Sequence, residues 1–139
     1  MGQTFLVALS GGVDSAVTAA MLLRQGHQVI GVTMDIGYGN AGLEAAAVAD
    51  SLNIKHHIIN VEQSFKDIVI ADFLDSYLRG ETPNPCVICN QRIKFKVFEP
   101  LMKELSADYL ATGHYVQKGH ANGRYFLYKA AYQPKDQSY

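Results

Sequence analysis

The sequence predicts an α/β fold: a doubly wound parallel sheet with helices on both faces. Apolar runs alternate with helical patterns over most of the chain, which is typical of strands joined by crossover helices. The 139 residues are 48% hydrophobic and only 18% charged, so the chain can bury a sizeable core. These observations together predict one globular domain.

The predicted elements follow the apolar pattern in order. Strands are expected at 4–9, 28–34, 55–60 and 108–111. Helices are expected at 13–24, 43–52, 62–77 and about 90–105. After Thr112 the pattern changes, because two alternating segments flank Asn122-Gly123, a favoured pair for a two-residue turn. We therefore expect a β-hairpin in the C-terminal part.

Composition points to a cytoplasmic protein with no membrane segment. No apolar stretch is long enough to span a bilayer, and Gln3 and Thr4 interrupt any signal-peptide pattern. Two cysteines fit a reducing compartment. The net charge is −1, but residues 1–70 carry three Lys and Arg against six Asp and Glu, whereas 71–139 carry nine against seven. The second half is the better surface for a polyanion.

The octet from Ala8 to Ser15, Ala-Leu-Ser-Gly-Gly-Val-Asp-Ser, is the strongest functional signal. It links a predicted strand to a predicted helix, and glycines at a helix N-terminus let backbone N–H groups approach an anion. The hydroxyls of Ser10 and Ser15 add donors for phosphate oxygens. A carboxylate beside a phosphate needs a cation between them, so Asp14 is a candidate Mg²⁺ contact. The octet matches neither the Walker loop nor the dinucleotide fingerprint.

Ligands of open parallel sheets bind at the carboxyl ends of the strands. This rule brings four segments to one edge of the predicted sheet: 10–15, Met34, Asn60 and 112–114. We expect the chemistry to take place at this edge.

The predicted loop from Arg79 to Cys89 holds two prolines and both cysteines. Cys89 directly precedes the helix expected at Asn90, so the helix dipole and nearby basic residues should lower its pKa more than that of Cys86. The Cys-x-x-Cys spacing also suits a metal site or a disulfide, but two thiols alone do not complete a cluster. Small buried hydrophobes are the alternative interpretation of both cysteines.

Several motifs occur in a fixed order: Ser-Gly-Gly-Val-Asp-Ser, Thr-Pro-Asn-Pro-Cys-Val-Ile-Cys-Asn, Ile-Lys-Phe, Ala-Thr-Gly-His-Tyr and Lys-Asp-Gln-Ser-Tyr. Together they resemble the tRNA-specific 2-thiouridylase family of the ATP pyrophosphatase superfamily. The resemblance implies an adenine-nucleotide alpha-hydrolase-like fold. It also implies a tRNA-uridine 2-sulfurtransferase, in which ATP adenylates C2 of the wobble uridine and a cysteine-borne sulfur displaces AMP. The implied partners are tRNA and a sulfur-donor protein.

The resemblance also assigns roles to positions of this sequence. Cys89 matches the first catalytic cysteine, and Asp14 belongs to the catalytic loop. The positions implied to bind ATP are Ala8, Leu9, Ser10, Gly11, Gly12, Val13, Asp14, Ser15, Met34 and Gly113. The positions implied to meet the target base are Asn84, Pro85 and Cys86. The positions implied to contact tRNA are Lys135, Asp136 and Gln137.

Four departures from the family pattern qualify the resemblance. Cys86 stands where many members carry Asp, and the polar segment 35–42 is short. The family's second catalytic cysteine and its central and C-terminal domains have no counterpart in this sequence. Residues 1–139 are therefore interpreted as the ATP pyrophosphatase catalytic domain, which is incomplete for turnover by itself. An iron–sulfur cluster on Cys86 and Cys89 stays an open alternative.

Two other functions stay open at this point. A pyrophosphate-loop enzyme that adenylates a different acceptor would share the octet but would not need the two cysteines. A non-catalytic nucleotide-binding or redox-sensing module would share the fold without turnover. On the last helix, Lys94 and Lys96 lie on different faces, so only one of them is expected to reach the site.

Overall fold

A computed structural model describes residues 2–138 of the chain. Its main sheet has four parallel strands in the order β3-β2-β1-β4. The strands are β1 (Thr4–Ala8), β2 (Gln28–Asp35), β3 (Lys55–Asn60) and β4 (Tyr109–Ala111). The predicted parallel sheet is confirmed: β3 has the predicted boundaries, and β1, β2 and β4 each differ from the prediction by one residue at one end.

Helices connect these strands and cover both faces of the sheet. The first two are α1 (Val13–Arg24) and α2 (Ala41–Ser51). Next, α3 (Glu62–Phe65) and α4 (Ala71–Leu78) are joined through a π-helical turn, Lys66–Ile70. A second π-helical turn, Asn90–Lys94, joins α5 (Pro85–Cys89) to α6 (Phe95–Glu104). In the described part of the chain, no helix combines the length and apolar character needed to cross a membrane.

The core consists of layers on opposite faces of the sheet. Successive strand residues point to opposite faces, so Val7 of β1 packs with Ala19 of α1 and Ala45 of α2. Leu6, its neighbour, packs on the other face with Phe98 of α6. Leu6 and Val7 are completely buried. The doubly wound arrangement is thereby confirmed.

The expectation of a helix start at Asn90 is wrong, because the helix begins at Pro85. Asn84 is the N-cap residue, and its Oδ1 accepts a hydrogen bond from the backbone N–H of Val87 at 3.4 Å. Proline at the first helical position loses no hydrogen bond, because that N–H has no partner within the helix. The predicted long loop therefore ends at Asn84, and both cysteines lie on a helix.

The C-terminal hairpin is confirmed. It pairs β5 (Gln117–Ala121) with β6 (Arg124–Tyr128) in antiparallel register. The two turn residues, Asn122 and Gly123, have positive φ angles of 52° and 72°. Asparagine and glycine adopt this left-handed conformation at low cost, which explains the turn at this pair.

The strand order creates a crevice at one position of the sheet. The chain proceeds from β1 to β2 and β3 on one side of β1, and β4 then pairs with the other side. The connections that leave β1 and β4 therefore diverge above their carboxyl ends. Such switch points are where open parallel sheets bind ligands.

Candidate active site

The loop from Leu9 to Ser15 at the end of β1 is held in shape by its own serines. The Ser15 hydroxyl donates to the carbonyl oxygen of Gly12 at 3.1 Å and accepts from the N–H of Ser10 at 3.2 Å. Ser10 Oγ accepts from the N–H of Gly12 at 3.3 Å. Ser15 is 4% exposed, whereas Ser10 is exposed. Ser15 thus fixes the loop, and Ser10 is the hydroxyl that faces outward.

Glycine is required at Gly11 for two physical reasons. Its φ of +80° is unfavourable for other residues. A Cβ atom there would also lie 2.5 Å from Cβ of Glu44. The loop leads through Gly12, the N-cap residue, into α1, whose first N–H groups have no partners within the helix. The backbone therefore presents donors and the positive end of a helix dipole to the crevice.

Gly113, just after β4, packs directly against this loop. A Cβ atom at Gly113 would lie 2.8 Å from the backbone nitrogen of Ser15 and 3.0 Å from the carbonyl carbon of Asp14. Both are backbone atoms, which cannot move aside as a flexible side chain can. The two sides of the crevice are therefore in contact through backbone at Gly113.

A cavity of about 390 Å³ opens above this contact. It is lined by residues from the ends of β1, β2 and β4, from α5 and the π-helical turn after it, and from the C-terminal segment. The expected site residues that line it are Ala8, Leu9, Ser10, Asp14, Ser15, Met34, Cys89, Gly113 and Gln137.

The remaining expected residues lie around this cavity. Gly11, Gly12 and Val13 form the backbone of the loop, and Asn84, Pro85 and Cys86 form the start of α5. Lys135 and Asp136 line a separate, smaller cavity beside Asp14. Asn60, which was expected at the same sheet edge, accepts a hydrogen bond from the N–H of Glu62 and does not line the main cavity. Tyr139, the last residue of its motif, is outside the described residues.

Cys89 is half-buried, and both cysteines are free thiols. Cys89 packs against the apolar cluster of Val61, Val69 and Ile93. This burial raises the pKa of the Cys89 thiol, and the ammonium of Lys94 acts in the opposite direction. The expectation of a lowered pKa is therefore wrong. A lowered pKa would require Cys89 to lie at a helix N-terminus. Cys89 instead ends α5, and the helix continues past it, so no free N–H groups face the thiol.

Of Lys94 and Lys96, one of which was expected to reach the site, Lys94 lines the cavity and Lys96 does not. Lys94 is half-buried and lines the cavity together with Cys89 and His114. Burial lowers the pKa of its ammonium, and the two cysteines act in the opposite direction. Residues five apart lie on different faces of a regular α-helix. The π-helical turn Asn90–Lys94 changes this period, since its hydrogen bonds join residues i and i+5.

His114 lies at the exit of β4 on the same cavity. Its Nδ1 is 2.7 Å from Oγ1 of Thr112, which fixes the ring. Burial lowers the pKa of the imidazole, and the positive charge of Lys94 lowers it further. Both effects favour the neutral imidazole, which can donate one hydrogen bond and accept one.

Asp14 directs its carboxylate away from the helix that carries it. Oδ1 accepts a hydrogen bond of 2.7 Å from the Tyr115 hydroxyl, and Oδ2 is 3.9 Å from Nζ of Lys135. Among residues 2–138, no three His, Cys, Asp or Glu side chains converge as a metal-binding group. A cation at Asp14 would therefore need further ligands of another kind, such as phosphate oxygens or water.

A glycine-rich loop at the switch point of a parallel sheet is typical of α/β domains that bind nucleotides. Comparison with known proteins agrees: the family described as tRNA methyl transferase HUP domain matches residues 3–139. The chain belongs to this family. It is 49% identical over 141 residues to the tRNA-specific 2-thiouridylase MnmA 2 of Clostridium botulinum, covering 96% of this chain. It is 48% identical over 140 residues to the tRNA-specific 2-thiouridylase MnmA of Trichlorobacter lovleyi, again covering 96% of this chain.

The chain spans about 40% of the length of these curated relatives. Solved structures show the same fold at lower identity. A glutamine-dependent NAD⁺ synthetase from Acinetobacter baumannii, solved with ADP, aligns with a TM-score of 0.55 and 22% identity over 81% of this chain and 22% of that one. An NMN synthetase from Francisella tularensis aligns with a TM-score of 0.52 and 19% identity over 78% of this chain and 44% of that one.

Because Gly113 packs against loop backbone, adding a methyl group at this position should destabilise the fold. Gly113→Ala should lower the free energy of unfolding by about 1–3 kcal/mol, because the methyl group must displace loop backbone. Gly42→Ala is the matched control, since a Cβ there would meet Cδ1 of Ile58 at an ordinary 3.5 Å. Urea denaturation measures both changes. Equal stability of Gly113→Ala and the control would show that the loop does not rest on Gly113.

The charge next to Cys89 predicts how its reactivity depends on pH. In a Cys86→Ser background, alkylation by iodoacetamide should rise with pH through a pKa above that of an ordinary cysteine, because the thiolate is the reactive form. Lys94→Met removes a positive charge and should move this pKa further upward. Lys96→Met, which changes an exposed lysine in α6, should leave it in place. An unchanged pKa in Lys94→Met would exclude electrostatic contact between the two side chains.

Proposed function

We propose that this chain is the ATP-using catalytic domain of a tRNA-uridine 2-sulfurtransferase. The main support for the proposal is that the glycine-rich loop after β1 and the Cys89 thiol line the same cavity. An enzyme that only adenylates would need the loop, but the thiol would be superfluous. The names of the relatives supply the substrate class, since they describe tRNA-specific 2-thiouridylases.

The shape of the cavity supports one orientation of ATP. The phosphates would meet the N–H groups of the loop and the start of α1, where the helix dipole favours negative charge. The purine would lie over the side chains at the end of β2, where Val32, Thr33 and Met34 line the cavity. Thr33 is buried, and its hydroxyl donates to the carbonyl oxygen of Leu9 at 2.8 Å. This bond holds the phosphate side and the purine side of the cavity together.

Magnesium fits the donor set around Asp14. Mg²⁺ in nucleotide sites usually takes one or two carboxylates, and phosphate oxygens and water supply the other ligands. Asp14 offers one exposed carboxylate in the first turn of α1. An iron–sulfur cluster fits less well, because clusters are typically held by four cysteine thiolates. Cys86 and Cys89 provide two, and no third metal-binding side chain joins them among the described residues.

The proposed reaction uses ATP to turn an oxygen into a leaving group. The C2 oxygen of the uridine attacks the α-phosphorus, and pyrophosphate leaves. A sulfur-donor protein first supplies Cys89 with a persulfide, whose outer sulfur adds to C2, and AMP leaves with the original oxygen. A second thiol of the enzyme then attacks the Cys89 sulfur, breaks the S–S bond and forms a disulfide with Cys89, which an external thiol reduces. Lys94 can stabilise negative charge that develops in the reaction, because its ammonium lines the same cavity as Cys89 and His114.

The base and the RNA would approach from the α5 side and the C-terminal part. Asn84, Pro85 and Cys86 form the start of α5, where Cys86 is exposed. Lys135, Asp136 and Gln137 lie on the same side of the sheet as the loop, beside Asp14 and Tyr115. The excess of basic residues in the second half of the sequence favours a polyanion there. We assign the target base to the first group, tRNA to the second, and the cytoplasm as the place of action.

Substitutions in the two halves of the cavity should separate binding from sulfur transfer. In the full-length polypeptide, Cys89→Ser should abolish 2-thiouridine formation and leave ATP affinity unchanged, because the thiol carries sulfur and does not hold phosphate. Asp14→Asn should weaken Mg-ATP binding by about 1–3 kcal/mol through loss of a charged group. Mass spectrometry of nucleosides from a tRNA transcript and calorimetry with Mg-ATP measure the two effects.

Cys86→Asp is the control for the thiol. It introduces the residue found in many members of the resembled family and should keep part of the activity. Wild-type thiolation in Cys89→Ser would show that Cys89 is not the sulfur carrier. A dead Cys86→Asp variant, together with iron in the wild-type protein, would favour two cluster ligands instead.

A further inference from the structure

The C-terminal segment Gln133–Ser138 folds back onto the nucleotide side of the sheet. The N–H of Gln137 donates to the carbonyl oxygen of Tyr115 at 2.9 Å, and the N–H of Tyr115 donates to Oε1 of Gln137 at 3.1 Å. This two-way pairing fixes the segment beside the residue that follows His114. The side chain of Gln137 also lines the main cavity.

Asp136 stabilises the turn of this segment from within. Its Oδ1 accepts a hydrogen bond of 2.6 Å from the N–H of Ala130, and its Oδ2 accepts one of 2.9 Å from the Ser138 hydroxyl. These bonds lower the pKa of the Asp136 carboxyl, the N–H of Ala130 contributing most. Asp136 therefore holds the turn in shape, and Lys135 is the charged side chain that the segment directs toward Asp14.

Lys135 reaches the catalytic loop. Its Nζ lies 3.9 Å from Oδ2 of Asp14 and 5.0 Å from the centre of the Tyr115 ring. The Tyr115 hydroxyl donates to the other oxygen of Asp14. A cavity of about 330 Å³ lies among these groups, and it shares Asp14 and Gln137 with the main cavity. The ammonium therefore stands at the end of the main cavity that Asp14 borders.

We propose that Lys135 is a phosphate-binding residue that pairs with the β- and γ-phosphates of ATP, the part that leaves as pyrophosphate. This inference rests on the proposed function, because it takes ATP to be bound with its phosphates at the loop. Met34 and Asp14 both line the main cavity, and the proposed orientation places the purine at Met34. With the phosphates at the N–H groups of the loop, the outer phosphates would lie beside Asp14, whose carboxylate is 3.9 Å from the ammonium.

The ion pair between Lys135 and Asp14 is weak enough for the ammonium to leave Asp14 and bind phosphate instead. Both side chains are about half exposed, at 55% and 46%, and ion pairs this exposed contribute little to stability. A polyphosphate carries more negative charge than one carboxylate, so it attracts the ammonium more strongly. When the ammonium turns to phosphate, Asp14 is released to hold Mg²⁺. The stacking of Lys135 on Tyr115 keeps the ammonium near both positions.

If Lys135 binds the outer phosphates, it should affect the affinity for ATP but not for AMP, because AMP lacks these phosphates. Lys135→Met should weaken the binding of Mg-ATP by about tenfold or more, the scale of one lost charge-assisted hydrogen bond. Binding of AMP should stay within about twofold of the wild-type value. Lys135→Arg keeps the charge and should retain most of the affinity for Mg-ATP.

Lys118→Met is the matched control. Lys118 is also an exposed lysine stacked on a tyrosine, with its Nζ 5.1 Å from the centre of the Tyr125 ring, but it lies on the hairpin away from Asp14. Isothermal titration calorimetry of this chain with Mg-ATP and with AMP gives the affinities. Lys118→Met should match wild type for both ligands.

Three outcomes would overturn the proposal. Equal Mg-ATP affinity in wild type and Lys135→Met would show that the lysine does not bind phosphate. An unchanged Mg-ATP affinity with weaker binding of a tRNA transcript would assign Lys135 to the RNA surface alone. An equal loss of ATP and AMP binding would indicate general damage to the site. A wild-type chain that binds neither nucleotide would instead refute the proposed function itself.

Discussion

The site depends on one close backbone contact at the switch point of the sheet. Gly113 after β4 lies so near Ser15 and Asp14 that no Cβ atom fits between them. This contact joins two segments that are almost a hundred residues apart in sequence. The parallel pairing of β1 with β4 brings them together, and the absence of a side chain lets the loop settle against the strand exit. The loop before α1 and the exit of β4, which carries His114, thereby border the same cavity.

The second constraint on the site is charge in a half-buried environment. Lys94 and Cys89 share the cavity, and burial disfavours the charged form of each. Each group also favours the charged form of the other. Such a pair is sensitive to whatever anion enters the cavity, because a phosphate competes with the thiolate for the same ammonium. An anion bound in the cavity would therefore change the protonation of the Cys89 thiol through Lys94.

Much of the fold could be predicted because it follows from local patterns. Strands β1 and β2 are largely apolar, and Asn122-Gly123 identifies the hairpin turn without any tertiary information. The loop at Gly11 was recognisable from its glycines and its place between strand and helix. The start of α5 was also present in the sequence, since asparagine followed by proline is a capping signal. The helix start was placed too late because the helical pattern of apolar residues is clearest after Asn90.

The missed features depend on tertiary structure. The burial of Cys89 arises from its packing against Val61 and Val69, which no spacing in the sequence predicts. Lys94 reaches the cavity because residues 90–94 form a π-helical turn. The residue pattern of this segment does not distinguish a π-helical turn from a regular α-helix, so the sequence left open which lysine reaches the site. The contact of Lys135 with Asp14 joins residues at opposite ends of the chain and required the C-terminal segment to fold back.

ATP binding at the switch point between β1 and β4 can be tested by titrating the ¹⁵N-labelled chain with Mg-ATP and following the backbone amide shifts. The largest changes are expected at Gly11, Gly12 and Ser15 of the loop and at Gly113, with saturation as a single site. Saturable shifts confined to other parts of the chain, or no shifts at these amides, would contradict ATP binding at this site.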